Sequence, residues 1–135
     1  MEISLKSPAG AGPQVWAGRV LSGLVTAFLL FDSAIKLIDL PIVQQTMVQL
    51  GYPTHLDRPI GVITLVGVGL YAVPRTAVLG AVLLTGLFGG AIATHLRVES
   101  PLFSHVLFGV YLGVLAWGGL YLRDARLRSL FPLRT

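Results

Sequence analysis

Four apolar stretches fill most of this chain and constrain its fold more than any other feature. They cover residues 15–38, 57–73, 76–96 and 102–122, and the apolar part of the second begins at Pro59. A helix of about 20 residues crosses a hydrocarbon core of about 30 Å, so each stretch is long enough, or nearly so, to span a membrane. The sequence therefore predicts an all-α protein that forms a four-helix transmembrane bundle.

The composition supports a membrane protein and excludes several kinds of chemistry. Of 135 residues, 54% are hydrophobic and 12% are charged, whereas a soluble domain has about 25% charged residues. The chain has no cysteine, which excludes thiol–disulfide exchange, iron–sulfur clusters and cysteine metal sites. The net charge is +4, but the basic residues flank the apolar stretches, so we expect no nucleic-acid binding.

The distribution of basic residues predicts the domain organisation and the orientation. We predict a flexible cytoplasmic N-terminus over residues 1–14, one membrane domain over 15–122 and a basic cytoplasmic tail over 123–135. Seven basic residues lie on the side of the termini, against three on the other side: Lys6, Arg19, Arg75, Arg123, Arg126, Arg128 and Arg134, against Lys36, Arg58 and Arg97. By the positive-inside rule, both termini are cytoplasmic in a multi-pass protein of a bacterial-type inner membrane.

The connection between the first two spans has a helical pattern of its own. Pro41 suits the first turn of a helix, and Gly51 suits the position just after its end. Apolar residues between them share one face, which predicts a short amphipathic helix lying in the outer membrane interface. Asp57 then suits an N-cap for the second span.

Five ionisable residues lie near the predicted outer ends of the spans: Asp32, Lys36, His95, Arg97 and His105. Such residues are costly in a membrane, so they form our candidate polar pocket. Asp32 and Lys36 are spaced i,i+4, which fits either a simple ion pair or a pair lining the pocket. The histidines fit either structural hydrogen bonding or a role in proton transfer, in quinone or lipid binding, or in metal or haem ligation.

Glycine spacing predicts where helices pack. Gly86 and Gly90 form a GxxxG pair in the third span, and Gly109 and Gly113 form one in the fourth. Glycines at this spacing let another helix approach closely, either within the bundle or from a second subunit. The basic residues after the fourth span fit an anchor on anionic lipid headgroups or a docking site for a cytoplasmic partner: Arg123, Arg126 and Arg128.

Motifs typical of enzymes are missing from the sequence. It has no glycine-rich phosphate loop, no HExxH and no serine nucleophile motif. The two glutamates, Glu2 and Glu99, do not suggest a buried acid pair. Two histidines and a distant carboxylate are too few for a zinc site. We therefore predict no catalytic residue, no metal and no independent enzymatic activity.

Several segments resemble the DoxX-like family of small four-helix membrane proteins, and together they cover nearly the whole chain. The longest runs from Leu79 to Arg97, and the others are Phe31–Leu37, Leu50–Pro53, Leu70–Thr76 and Trp117–Asp124. The resemblance implies the membrane fold. It also implies a link to redox partners, because the family name comes from a membrane subunit of a thiosulfate:quinone oxidoreductase. It supplies no catalytic residue.

Two functions are expected on this basis. The first is a non-catalytic membrane subunit or scaffold that binds lipid and another membrane protein, or a second copy of itself. The alternative is a quinone-linked redox component whose outward-facing polar pocket holds the quinone. Small-molecule transport is a third reading, disfavoured because the inverted repeats typical of transporters are not evident.

Overall fold

The computed structural model describes residues 12–130, and within that range it contains helices and no strand. The all-α prediction is confirmed. Six α-helices are present in this range: α1 Pro13–Leu37, α2 Pro41–Leu50, α3 Asp57–Ala72, α4 Ala77–Arg97, α5 Phe108–Arg123 and α6 Ala125–Leu130. Three short turns join them: 3₁₀ turns at Thr54–Leu56 and Pro74–Thr76, and a π-helical turn at Leu102–Val106.

Four of these helices pack against one another in a cycle. Helix α1 contacts α3 and α5, and α4 contacts the same two helices from the other side. The core between them combines large and very small side chains: Val25, Leu29, Val68, Tyr71, Ala77, Ala81, Leu84, Phe88, Leu112, Ala116, Leu120 and Leu127. Alanines at the contact positions bring the helices close together without leaving voids.

The helix ends follow from proline and glycine. Pro13 and Pro41 lie in the first turns of α1 and α2, where their missing N–H groups need no partner. Helix α2 ends at Gly51, whose φ of 83° is left-handed and favours a residue without a Cβ. The amphipathic sequence between the first two spans therefore does form a helix. Asp57 is not the N-cap predicted for α3 but its first residue.

Three helical segments are long and apolar enough to cross a membrane: Pro13–Leu37, Pro74–Arg97 and Leu102–Arg123. Helix α3 has only 16 residues, which at 1.5 Å per residue is about 24 Å. This helix is shorter than a typical span. It begins at Asp57, directly after a 3₁₀ turn, and it ends just before the turn that starts at Pro74.

Helical residues are present at both ends of the described range. Most of the N-terminal segment expected to be flexible, residues 1–11, lies outside the described residues, and its last two residues belong to α1. The basic tail contains α6, whose Leu127 is 1% exposed. Asp124 starts this helix by accepting hydrogen bonds from the backbone N–H groups of Arg126 and Leu127. Residues 131–135 lie outside the described part.

Candidate functional site

The five residues predicted to form one polar pocket fall into separate groups. Lys36 Nζ lies 2.5 Å from Asp32 Oδ2, one turn away on α1. The rings of His95 and His105 meet edge to face, with centroids 5.6 Å apart. Arg97 bonds to neither pair. Within residues 12–130, no hydrogen bond or ion pair joins the α1 pair to the other three residues. The prediction that Asp32 and Lys36 pair with each other is confirmed.

The two histidines line a cleft of about 290 Å³ between the end of α4, the π turn and α2. His95 Nδ1 lies 2.9 Å from Ser100 Oγ, and His105 Nδ1 lies 2.7 Å from Ser104 Oγ. Each serine thus fixes one ring nitrogen, and Nε2 is the second polar atom of each imidazole. The described residues contain no group of three or more side chains suited to a metal ion. The cleft is therefore suited to hydrogen bonding with a small polar group.

Arg97 joins α2 to α4. Its guanidinium donates to the backbone oxygen of Leu50 at 2.5 Å, in the last turn of α2. A Cβ on the next residue, Gly51, would lie 3.1 Å from this guanidinium. The hydroxyls of Tyr52 and Thr94 make a second link between the same segments at 2.8 Å. Arg97 therefore satisfies carbonyl groups at a helix end.

A carboxyl pair that the sequence analysis did not foresee lies beside this region. Asp57 is 1% exposed and lies beside Asp39, which follows α1 in a left-handed conformation with φ of 63°. The neighbouring Asp57 carboxyl is the main cause that lowers the pKa of Asp39, followed by the side chain of Gln44. Arg58 Nη2 lies 3.9 Å from Asp39 Oδ2.

Two oxygens of this pair, Asp39 Oδ1 and Asp57 Oδ2, are buried without a hydrogen-bond partner among the described residues. Two neighbouring carboxylates carry an electrostatic cost when both are ionised, so the arrangement favours retention of one proton by the pair. The pair connects the end of α1 to the start of α3. No local sequence pattern indicates this pair, because only the antiparallel arrangement of α1 and α3 brings the two aspartates together.

A second unforeseen network lies at the opposite, predicted cytoplasmic end. Arg123 Nε donates to Ser22 Oγ at 2.9 Å, and Ser22 Oγ lies 2.8 Å from the hydroxyl of Tyr71. Tyr71 in turn donates to the backbone oxygen of Ala116 at 2.6 Å. Because Tyr71 uses its proton for Ala116, Ser22 must donate to Tyr71. The chain of hydrogen bonds joins α1, α3 and α5 around a tyrosine that is 0% exposed.

The three arginines predicted to anchor lipid headgroups have different environments. Arg123 is half-buried; besides Ser22 it contacts Tyr71, donating to its backbone oxygen at 3.3 Å with its guanidinium 5.3 Å from the ring centre. Arg128 donates to the last carbonyls of α5, on Tyr121 and Leu122, at 2.8 Å each. The side chain of Arg126 is exposed. For all three arginines, a headgroup role stays a prediction.

Of the two contacts that the spacing of Gly86 and Gly90 allowed, the described residues show none within the bundle. No described atom outside their own helix lies within 4 Å of a Cβ built on either residue. Instead, Phe88 and Ile92 on another face of α4 pack against Gly109, whose Cβ position lies 3.0 Å from the Phe88 carbonyl oxygen. Gly113 is in ordinary contact with Phe88, at 3.9 Å. A large side chain of α4 fills the space left by glycine on α5, so the two GxxxG faces do not meet.

Other glycines permit the closest helix crossings. A Cβ on Gly18 would lie 2.7 Å from the Gly119 oxygen, and one on Gly119 would lie 2.8 Å from the Ser22 nitrogen. A Cβ on Gly80 would overlap the backbone nitrogen of Tyr71. Small residues in α1 carried a signal for this packing, because the buried stripe of α1 begins with Gly18 and Ser22 at i,i+4 spacing.

The exterior of the helices defines the class of protein. Large apolar side chains are exposed on all four packed helices, including Leu24 at 57%, Val66 at 52%, Leu79 at 54% and Val114 at 65%. Soluble monomers rarely expose apolar surface on this scale. Together with three helical segments of spanning length, this exterior is that of an integral membrane protein.

The sequence comparisons assign the family. A model of the DoxX-like family matches residues 20–119, which include most of α1 and all of α2, α3 and α4. The chain belongs to the DoxX-like family. No curated protein and no solved structure matches the chain.

Proposed function

We propose that this DoxX-like protein is a non-catalytic scaffold subunit of a membrane assembly. The observation that supports this proposal is that polar side chains of the protein bond to other groups of the same chain. Asp32 is paired with Lys36, Arg97 holds a carbonyl of α2, and Arg123 holds Ser22 and Tyr71. These groups stabilise contacts within and between helices. The exterior of the protein is then the surface available for function.

The proposed topology has four spans, a short interfacial helix and cytoplasmic termini in a bacterial-type inner membrane. Helix α3 is included as a span because Val62, Ile63 and Val66 expose about half of their surface along its length. Such a face is stable in lipid and costly in water. Helix α2 would lie in the outer interface. The orientation follows from the seven-to-three distribution of basic residues.

Single cysteines test this topology cleanly, because the chain has none of its own. A cysteine replacing Ser129 should be protected from a membrane-impermeant maleimide in intact cells. A cysteine replacing Thr54 should react. Both positions are exposed, so protection reports the membrane and not burial. Reaction at Ser129 with protection at Thr54 would reverse the proposed orientation.

The exposed glycines of α4 are the proposed contact surface for a partner helix. Gly86, Gly89, Gly90 and Ala93 are all exposed and are spaced along the middle and outer part of α4. Small residues in this arrangement let the backbone of another transmembrane helix approach closely. The partner would be another membrane protein or a second copy of this chain. Contact with a partner helix is the second of the two roles that the spacing of Gly86 and Gly90 allowed.

We expect Gly90→Leu to leave the protein folded and to weaken this association at least tenfold. The new side chain would meet no atom of its own chain but would block a close approach from outside. The measurement is energy transfer between labelled copies in vesicles, together with the proteins retained on mild purification from native membranes. Gly69→Leu is the matched control, because Gly69 is also open to the exterior and lies on α3. Equal retention in both variants would contradict the proposed surface.

The histidine cleft favours a second candidate function, quinone binding by a redox component. Two imidazoles beside a cleft of about 290 Å³ offer hydrogen bonds to the carbonyl oxygens of a quinone. In the same purified samples, His95→Gln should leave quinone content unchanged if the protein is a scaffold. Loss of co-purified quinone from a folded His95→Gln protein, with normal partner retention, would favour the redox candidate instead.

A further inference from the structure

A groove runs along α1 from the predicted cytoplasmic end toward the middle of the membrane domain. Its volume is about 350 Å³. The α1 residues that line it lie on one face of that helix, and those in the middle are small. Nothing lies within 4 Å of a Cβ on Gly23, so this part of the stripe is open. The groove is lined by Arg19, Ser22, Gly23, Thr26, Ala27, Leu30, Ala72 and Arg123.

Two guanidinium groups line the same groove without a carboxylate to balance them. Neither Arg19 nor Arg123 forms an ion pair within residues 12–130. Arg123 uses two of its five N–H donors on Ser22 and Tyr71, which leaves three with no acceptor in that range. Those two bonds also fix the guanidinium in place. The groove therefore carries unbalanced positive charge that is partly preorganised for a bound anion.

The side chains along α1 change with depth in the same order as the parts of a glycerophospholipid, from the headgroup to the acyl chains. Arg19 stacks on Trp16 with its Cζ 5.0 Å from the ring centre, and tryptophan is enriched at the headgroup level of membranes. Thr26 lies four residues deeper than Ser22, which is about 6 Å along the helix. Its hydroxyl has no hydrogen-bond partner in the part of the chain that the structure describes. Ala27 and Leu30 then extend the groove with apolar surface.

We propose that this groove binds one anionic phospholipid from the cytoplasmic leaflet. Its phosphate would lie between Arg19 and Arg123, the ester region would reach Thr26, and an acyl chain would lie over Ala27 and Leu30. This inference rests on the membrane orientation proposed above and is independent of the partner surface on α4. A free phosphate would contact only the two guanidinium groups. A phospholipid would also contact the deeper Thr26 hydroxyl and the apolar surface of Ala27 and Leu30, so the groove matches a lipid better.

The test is a lipid titration of the detergent-purified protein followed by native mass spectrometry. The probes are phosphatidylglycerol and phosphatidylcholine with the same acyl chains, with inorganic phosphate as a soluble anion. We expect phosphatidylglycerol to bind more tightly than phosphatidylcholine. Arg19→Gln should weaken phosphatidylglycerol binding about fivefold, the effect of one basic residue near a membrane surface. Arg75→Gln is the matched control, because Arg75 is exposed at the same predicted end and lies outside the groove.

Two further variants separate a lipid site from general attraction to negative charge. Ala27→Leu fills the apolar floor without changing charge, and it should weaken both lipids at least threefold. Ala34→Leu, an exposed position on α1 outside the groove, should change neither. Equal losses for Arg19→Gln and Arg75→Gln would overturn the groove site, as would tight phosphatidylglycerol binding by Ala27→Leu. Displacement of the lipid by millimolar inorganic phosphate would also overturn it and indicate a simple anion site.

These outcomes are distinct from failure of the scaffold proposal. The titration uses isolated protein and no partner, whereas the Gly90→Leu experiment measures association. Arg123 is left unchanged because its bonds to Ser22 and Tyr71 support the fold.

Discussion

Gly80→Ala is expected to abolish most folded protein in detergent. Gly80 lies where α4 crosses α3, and an added Cβ would overlap the backbone of Tyr71 and lie 2.8 Å from the Gly67 oxygen. Backbone atoms cannot move aside as the end of a flexible side chain can, so the two helices must separate. Overpacking of a tight core costs about 3 kcal/mol or more in severe cases. The measurement is the yield of monodisperse protein and its thermal unfolding.

The control for this prediction is the same substitution on the exterior of the same helix. Gly86 has no neighbouring atom within 4 Å, so Gly86→Ala should leave the yield unchanged. Alanine also favours a helix over glycine by about 1 kcal/mol, so the melting temperature should stay the same or rise slightly. A Gly80→Ala protein as stable as Gly86→Ala would contradict the close crossing of α3 and α4.

Tyr71→Phe is expected to destabilise the protein by about 2 kcal/mol while preserving its packing volume. The change removes one hydroxyl from a fully buried position, so the Ser22 O–H loses its acceptor and the Ala116 oxygen loses the tyrosine donor. In a low-dielectric interior, an unsatisfied polar group costs more than the net gain of the lost bond. The free energy of unfolding should be measured by denaturant titration in mixed micelles.

Two variants test the cause of this loss. Tyr111→Phe is the matched control, because Tyr111 also donates to a backbone oxygen, on Phe103 at 2.8 Å, but is exposed. Its cost should stay below about 1 kcal/mol. Ser22→Ala combined with Tyr71→Phe should cost less than the sum of the single changes, because both act on one network. Strict additivity would show that Ser22 and Tyr71 are not coupled.

The proposed assembly uses opposite sides of one small protein for different contacts. Internal glycines bring the helices together, while Gly86, Gly89 and Gly90 of α4 remain on the exterior, where we propose that another helix binds. The Asp39–Asp57 pair and the Arg97 link hold the predicted outer connection in place. The arginine groove lies at the other end. The proposed partner surface and the proposed lipid groove can thus be disrupted separately.

The sequence alone determined the features that depend on near neighbours along the chain. Runs of apolar residues predicted helices close to those observed, because burial in lipid or protein requires backbone hydrogen bonds to be satisfied within a segment. Pro41 and Gly51 marked the ends of α2 through their own backbone preferences. The i,i+4 spacing of Asp32 and Lys36 gave their ion pair, since such residues adjoin on any helix.

Only the tertiary structure decided how each helix is rotated about its axis and what its faces meet. Gly86 and Gly90 have the spacing of packing glycines, yet the Phe88 face of α4 packs inward because it complements Gly109. Arg123 and Ser22 are joined across 101 positions of sequence, and Asp39 meets Asp57 through the antiparallel arrangement of α1 and α3. Helical periodicity fixes which residues share a face. The shapes of neighbouring helices determine which face is buried, and that information lies in contacts between distant segments.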